Sequence, residues 1–174
     1  MPGLAAEWFR YAFQLFNVKN IPVRRIEILE NEPAFAGRFK IRTVSDLLDG
    51  RDLVHELHKH DFFFVLALQK GSGHHEIDFT DYTICDNSIF ILRPGQVHRL
   101  ELQAGCTGFL MEFDASFYHP SDKISIQRLS KAINKNFCEL EVGRFNKLMA
   151  VLAYIFNEYD SKQEGYTEVI KANL

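Results

Sequence analysis

The sequence predicts a mainly β fold, an antiparallel sandwich or barrel, followed by helices at the C-terminal end. Between Phe39 and Phe113, short apolar segments alternate with turn signals such as Gly71-Ser72-Gly73 and Pro94-Gly95. Segments of this length at close, regular spacing are typical of antiparallel sheets. After Pro120 the apolar residues recur at steps of three and four, which indicates amphipathic helices.

The β region divides into eight predicted strands, near residues 39–44, 53–60, 61–69, 74–79, 82–85, 88–92, 97–103 and 106–113. The longest apolar run, Phe62 to Leu68, is too short to cross a membrane and suits a strand buried on both faces. Upstream, Leu4 to Val18 fits a short helix and Ile21 to Ile28 fits a strand. These patterns predict an N-terminal extension over residues 1–38 and a β domain over residues 39–117.

Three helices are predicted within a C-terminal segment, residues 118–174. The first begins at a cap formed by Ser121 or Asp122 and runs to about Asn134. The second covers residues 139–159, and its apolar stripe consists of Phe145, Leu148, Met149, Leu152, Ile155 and Phe156. That stripe packs against the β domain, pairs with a second copy in a two-fold interface, or does both, since its apolar face is wide. We expect its six residues to take part in dimerisation. The third starts near residue 166 and has no stop signal before residue 174, which favours a boundary with a further domain.

The net charge and the cysteines indicate whether this chain binds DNA and in which cell compartment it is expected. The formal net charge is -3, whereas a domain that grips nucleic acid should carry a basic face. From residue 120 onward, eight Lys and Arg stand against seven Asp and Glu, so this chain alone should bind DNA poorly. The three cysteines have no metal-type spacing and no secretory signal is evident, which predicts a cytoplasmic protein with reduced thiols.

Three ordered motifs carry a resemblance to a known family. They are a His-x-His-Asp strand around His58 and His60, a Gly-Ser-Gly hairpin at 71–73, and the turn Arg93-Pro94-Gly95-Gln96-Val97-His98. In this order they resemble the N-terminal domain of AraC-type transcription regulators, over roughly residues 39–117.

The resemblance implies a cupin-like (jelly-roll) β-barrel that holds a small-molecule effector, followed by helices that form a homodimer. It also implies a C-terminal DNA-binding domain with two helix-turn-helix units, for which about 100 further residues would be needed. We therefore expect DNA contact only through a domain absent from this sequence, and neither an enzymatic activity nor a cofactor.

The candidate site lies at the predicted barrel mouth, where polar groups converge on apolar walls. We expect the ligand-binding residues to be His58, His60, Phe62, Phe64, Arg93 and His98. A second interpretation is a metal-dependent cupin oxygenase or isomerase that uses the three histidines. It is disfavoured because the glutamate that such enzymes usually add after the second histidine is replaced by phenylalanine and valine. A third interpretation is that these histidines only satisfy backbone groups.

His74 and His75, after the hairpin turn, are expected to be exposed.

Overall fold

The fold was analysed in a computed structural model, which describes residues 21–26, 38–118, 120 and 122–174. The predicted helix over 4–18, the end of the predicted strand over 21–28, and His119 lie outside the described residues. Within them, the strands are β1 (Val23–Arg24), β2 (Phe39–Thr43), β3 (Leu53–His60), β4 (Phe63–Lys70), β5 (Gly73–Ile77), β6 (Thr80–Ile84), β7 (Ser88–Leu92), β8 (Val97–Leu102), β9 (Thr107–Phe113) and β10 (Phe137–Glu139). The helices are α1 (Val44–Leu48), α2 (Lys123–Ile133), α3 (Val142–Ser161) and α4 (Tyr166–Asn173).

The described strands form two five-stranded sheets. One sheet has the order β1-β3-β8-β5-β6 and is called the histidine sheet below; the other has the order β10-β7-β4-β9-β2 and is called the helix-covered sheet. Most neighbours are antiparallel, but β1 pairs with β3 in parallel. The chain crosses repeatedly from one sheet to the other, as in a jelly roll. The predicted class, a jelly-roll-like β fold followed by C-terminal helices, is confirmed.

Two apolar cores result, because both faces of the helix-covered sheet are buried. The inner core lies between the sheets and includes Phe64, Leu66, Phe90 and Leu100. The outer core lies between the helix-covered sheet and the helices, and there Phe145, Leu152 and Ile155 of α3 pack with residues of β2 and β9 such as Phe39. Strand β4 is central in this sheet and contributes to both cores, which agrees with its uninterrupted apolar sequence.

The helices differ in how much they bury. Asp122 caps α2, since its carboxylate accepts hydrogen bonds from the backbone N–H groups of Ile124 and Ser125 at 3.0 and 2.9 Å. Yet α2 has no buried residue, and Ile124 remains 61% exposed.

Two elements were not predicted: the short helix α1, and β10, which pairs with β7. None of the described helices is both long and apolar enough to cross a bilayer.

Candidate functional site

A cavity of about 250 Å³ lies against the inner faces of the two sheets. Its apolar wall comes from both sheets and consists of Leu47, Phe62, Phe64, Leu66, Leu100, Leu102 and Leu110, with Ile26 beside β1. Its polar lining consists of Arg24, Arg25, Lys40, Arg42, His55, His60 and Glu112. The cavity thus combines an apolar body with a strongly cationic polar part, the arrangement of many small-molecule sites.

The polar lining on the helix-covered sheet follows from strand alternation. Successive side chains of a strand point to opposite faces. Phe39 and Ile41 of β2 join the outer core under the helices, so Lys40 and Arg42 face inward to the cavity. On β9, Glu112 shares that inward face because its register partner in β2 is Lys40.

Arg42 and Glu112 form the best-buried ion pair of the cavity. Arg42 Nη2 lies 3.0 Å from Glu112 Oε2, and the side chains are 35% and 10% exposed. Burial raises the pKa of Glu112, although the charges of Arg42 and Lys40 oppose that effect. Arg42 Nε is buried and has no hydrogen-bond partner among the described residues. An acceptor in the cavity would satisfy this donor.

The histidine sheet carries a row of buried imidazoles. His58 and His60 lie on β3, and His98 lies directly opposite His58 on β8. His75 lies on β5, the strand on the other side of β8. A register shift between His55 and His58 interrupts the β3 ladder, and such an irregularity re-aims side chains along a strand. His55 therefore lines the cavity together with His60, although regular alternation would place residues five positions apart on opposite faces.

Hydrogen-bond distances link these rings in one chain. His58 Nδ1 donates to the backbone carbonyl of Glu56 at 2.6 Å. His60 Nε2 lies 3.1 Å from His58 Nε2 and 2.6 Å from His98 Nε2. His98 Nδ1 then lies 2.9 Å from His75 Nε2. Within the described part of the chain, Nδ1 of His60 and Nδ1 of His75 have no partner.

Burial keeps the clustered imidazoles neutral. It lowers the pKa of His60 and of His75 to about 3 each, and the nearby His58 adds to both effects. Burial likewise lowers the pKa of His58 and of His98. At the cavity edge, burial and then the charge of Arg24 lower the pKa of His55 to about 4. Neutral rings are hydrogen-bonding groups and metal ligands rather than cations.

The structure brings together five of the six predicted site residues. His60 packs on Phe62 and Phe64, with ring centroids 4.3 and 5.3 Å apart, and all three line the cavity. His58 and His98 contact His60 but lie behind the cavity lining.

The prediction for Arg93 is wrong, because its side chain is exposed and outside the cavity lining. Its backbone N–H donates to Gln96 Oε1 at 2.8 Å, which closes the Pro-Gly turn.

The expectation for His75 is also wrong, although His74 is exposed as predicted. His75 is 0% exposed and packs on Phe90 with ring centroids 4.7 Å apart. The two histidines are neighbours on β5, so strand alternation requires that only one of them face inward. The apolar Ile77, two residues further along, was the signal that His75 shares its face.

The predicted dimerisation stripe is mostly used inside the protomer. Phe145, Leu152 and Ile155 are 0%, 3% and 1% exposed because they cover the helix-covered sheet. Leu148, Met149 and Phe156 are partly buried against the same core. Packing of this stripe on the β domain is therefore observed. Its three buried members cannot also form an intermolecular contact. The large apolar residues that α3 leaves exposed are Val142, Val151 and Tyr154.

Sequence comparison identifies the family. The family model of the AraC-like ligand binding domain matches residues 47–174, which is well over half of the chain. No curated protein matches the sequence.

Among solved structures, an apo variant of ToxT from Vibrio cholerae strain SCE256 is similar at 16% identity and a TM-score of 0.47. That match covers 82% of this chain and 53% of ToxT. The plu4264 protein from Photorhabdus luminescens is similar at 12% identity and a TM-score of 0.29, over 49% of this chain and 65% of that protein. This chain thus spans less than two thirds of either structure. On the family match, the chain belongs to the AraC-like ligand binding domain family.

Proposed function

We propose that this domain is the effector-sensing and dimerising part of a bacterial DNA-binding transcription regulator, and that its effector is a small organic anion with an apolar body. The observation that carries the proposal is the composition of the cavity. Four cations and one carboxylate line it, and the rest of its wall is apolar apart from two histidines.

The charge balance favours an anionic group on the ligand. Arg42 is paired with Glu112, and Arg25 lies 3.4 Å from Asp61. Arg24 and Lys40 have no ion-pair partner among the residues that the structure describes. A ligand carboxylate placed near Lys40 would offset the positive charges of Lys40 and Arg24. It would also accept a hydrogen bond from the unpartnered N–H of Arg42 Nε.

The apolar wall favours a hydrocarbon body. Phe62, Phe64 and Leu66 on one side and Leu100 and Leu102 on the other lie along the cavity. Burying the apolar part of a ligand there contributes roughly 25 cal/mol for each Å² removed from water. The volume of about 250 Å³ limits the effector to a small molecule.

Family membership supports the regulatory role, and the exposed surface of α3 supports dimerisation. Val151 and Tyr154 are three residues apart, 39% and 46% exposed, and lie on one side of the helix. A second copy of the chain packed against Val151 and Tyr154 would bury both side chains. We propose that the regulator contacts DNA through a separate DNA-binding domain and that it acts in the cytoplasm.

Recognition without chemical conversion is favoured over a metal-dependent enzyme. The side chains next to His60 toward the cavity are Phe62 and Phe64. Metal-dependent cupin oxygenases and isomerases usually supply a carboxylate there. The one carboxylate among the described cavity-lining residues, Glu112, is engaged by Arg42. The cavity is therefore better suited to hold an anion than to activate one.

Octanoate and its uncharged counterpart octanamide form a matched pair of probes for this proposal. We expect octanoate, but not octanamide, to raise the melting temperature and to bind measurably by calorimetry. Lys40→Gln should weaken octanoate binding about 10- to 100-fold, because a hydrogen bond to a charged group is lost. The exposed Lys147→Gln, on α3, is the control and should bind like the wild type. Equal binding of the two probes, or none of either, would refute the proposed ligand class.

A further inference from the structure

We infer that His58, His60 and His98 form a binding site for a divalent first-row transition-metal ion on the inner face of the histidine sheet. One ring nitrogen of each histidine lies within 4.8 Å of those of the other two. Two nitrogens held at 2.0–2.1 Å by one ion lie about 3.0–3.4 Å apart, depending on coordination geometry. The observed Nε2 separations of 3.1 and 2.6 Å therefore require an opening of about 0.4 Å for the shorter pair.

The hydrogen bond at Glu56 determines the tautomer of His58. A backbone carbonyl only accepts, so His58 Nδ1 carries the proton and Nε2 of the neutral ring carries a lone pair. That lone pair is directed to His60 Nε2, which also contacts His98 Nε2. A single proton on His60 can serve only one of these two neighbours with good geometry. A cation shared by the three rings satisfies all the lone pairs at once.

The second nitrogens of His58 and His98 have the partners that metal-bound histidines usually have, whereas Nδ1 of His60 has none among the described residues. Such ligands commonly donate their other N–H to a backbone carbonyl or another acceptor, which fixes the orientation of the ring. His58 makes this bond to Glu56, and His98 Nδ1 lies 2.9 Å from His75 Nε2. Because His75 is fully buried beside Phe90, its ring holds His98 in place. His75 is thus a positioning residue.

The donor set and its surroundings select the class of ion. In the described residues the cluster consists of three imidazoles and contains no carboxylate. Imidazole suits zinc, copper, iron and nickel, whereas magnesium and calcium prefer oxygen ligands. The phenyl rings of Phe62 and Phe64 pack on His60 and make one side of the site apolar.

Zinc titration of tag-free protein, stripped with EDTA and desalted, tests the inference directly. We expect one zinc per chain to remain bound through gel filtration. Nitrogen-15 spectra of the histidine rings should show Nε2 shifts at His58, His60 and His98. His60→Gln and His98→Gln should each weaken zinc binding more than 100-fold. His75→Gln should weaken it 10- to 100-fold, as expected for an outer partner. His74→Gln, which changes the exposed neighbour, should leave the affinity unchanged.

Three results would each overturn the site: wild-type protein that retains no zinc, zinc-induced shifts only at other histidines such as His74, and full affinity in His60→Gln. The spectra of the wild-type protein decide the matter even if a buried substitution prevents folding. Zinc and octanoate are measured separately, so the failure of one proposal leaves the other standing.

Discussion

Acidification should destabilise the domain strongly, because it contains buried neutral histidines. The pKa values of His60 and His75 are lowered from the ordinary 6.5 to about 3 by burial. Below pH 6.5 the unfolded chain takes up protons at these rings, while the folded chain does not. Stability therefore falls as the pH decreases from 6.5, and the loss from these groups ends near pH 3, where the folded rings also become protonated.

The size of the effect follows from these two pKa values. Between pH 6.5 and pH 5, each ring contributes about 2 kcal/mol of lost stability, since one pKa unit corresponds to about 1.4 kcal/mol. His60 and His75 are 5% and 0% exposed, so solvent screening reduces this little. Together they remove about 4 kcal/mol, out of the roughly 5–15 kcal/mol that stabilise a typical domain.

Urea denaturation in EDTA at pH 7, 6 and 5, followed by circular dichroism, measures this loss. His75→Gln keeps a neutral hydrogen-bonding group at the position and should lose about 2 kcal/mol less than the wild type between pH 7 and pH 5. His74→Gln, at the exposed position beside it, should lose as much as the wild type. A wild-type free energy that is constant over this range, or equal losses in the wild type and His75→Gln, would refute the reasoning.

Two further predictions concern a glycine and the exposed residue Val151 of α3. Gly108 has φ +145°, and a Cβ there would overlap the carbonyl oxygen of Ala67 on β4. Gly108→Ala should cost about 3 kcal/mol or more, measured as a lower urea midpoint. Gly105→Ala should cost only about 1–2 kcal/mol, because Gly105 (φ +87°) faces open space. Val151→Glu should convert the proposed dimer to monomers in sedimentation velocity. Asn146→Glu, exposed on another side of α3, should not. A wild type that is monomeric at all concentrations would refute the dimer.

Local sequence signals were sufficient for most elements of this fold. Turn residues and short apolar segments predicted the positions of the eight main strands, and steps of three and four predicted α3. The short α1 was missed because a single helical turn capped by Thr43 leaves no apolar period to detect. Strand β10 was missed because three residues are too few to show alternation, and only pairing with β7 holds them extended.

The sequence by itself determined where the eight main strands and α3 lie, because these depend on local spacing. Its ordered motifs also predicted that His58, His60 and His98 converge, and these three rings lie together in the structure. Only the tertiary structure decided which face of each strand is the inner one. Alternation shows that the two faces of β2 differ, but it does not show that α3 would cover Phe39 and leave Lys40 and Arg42 in the cavity. Alternation also cannot place His55 beyond a register shift, or Arg24 beside a cavity built from distant strands. Those positions depend on pairing between segments far apart in the chain, and no local pattern encodes it.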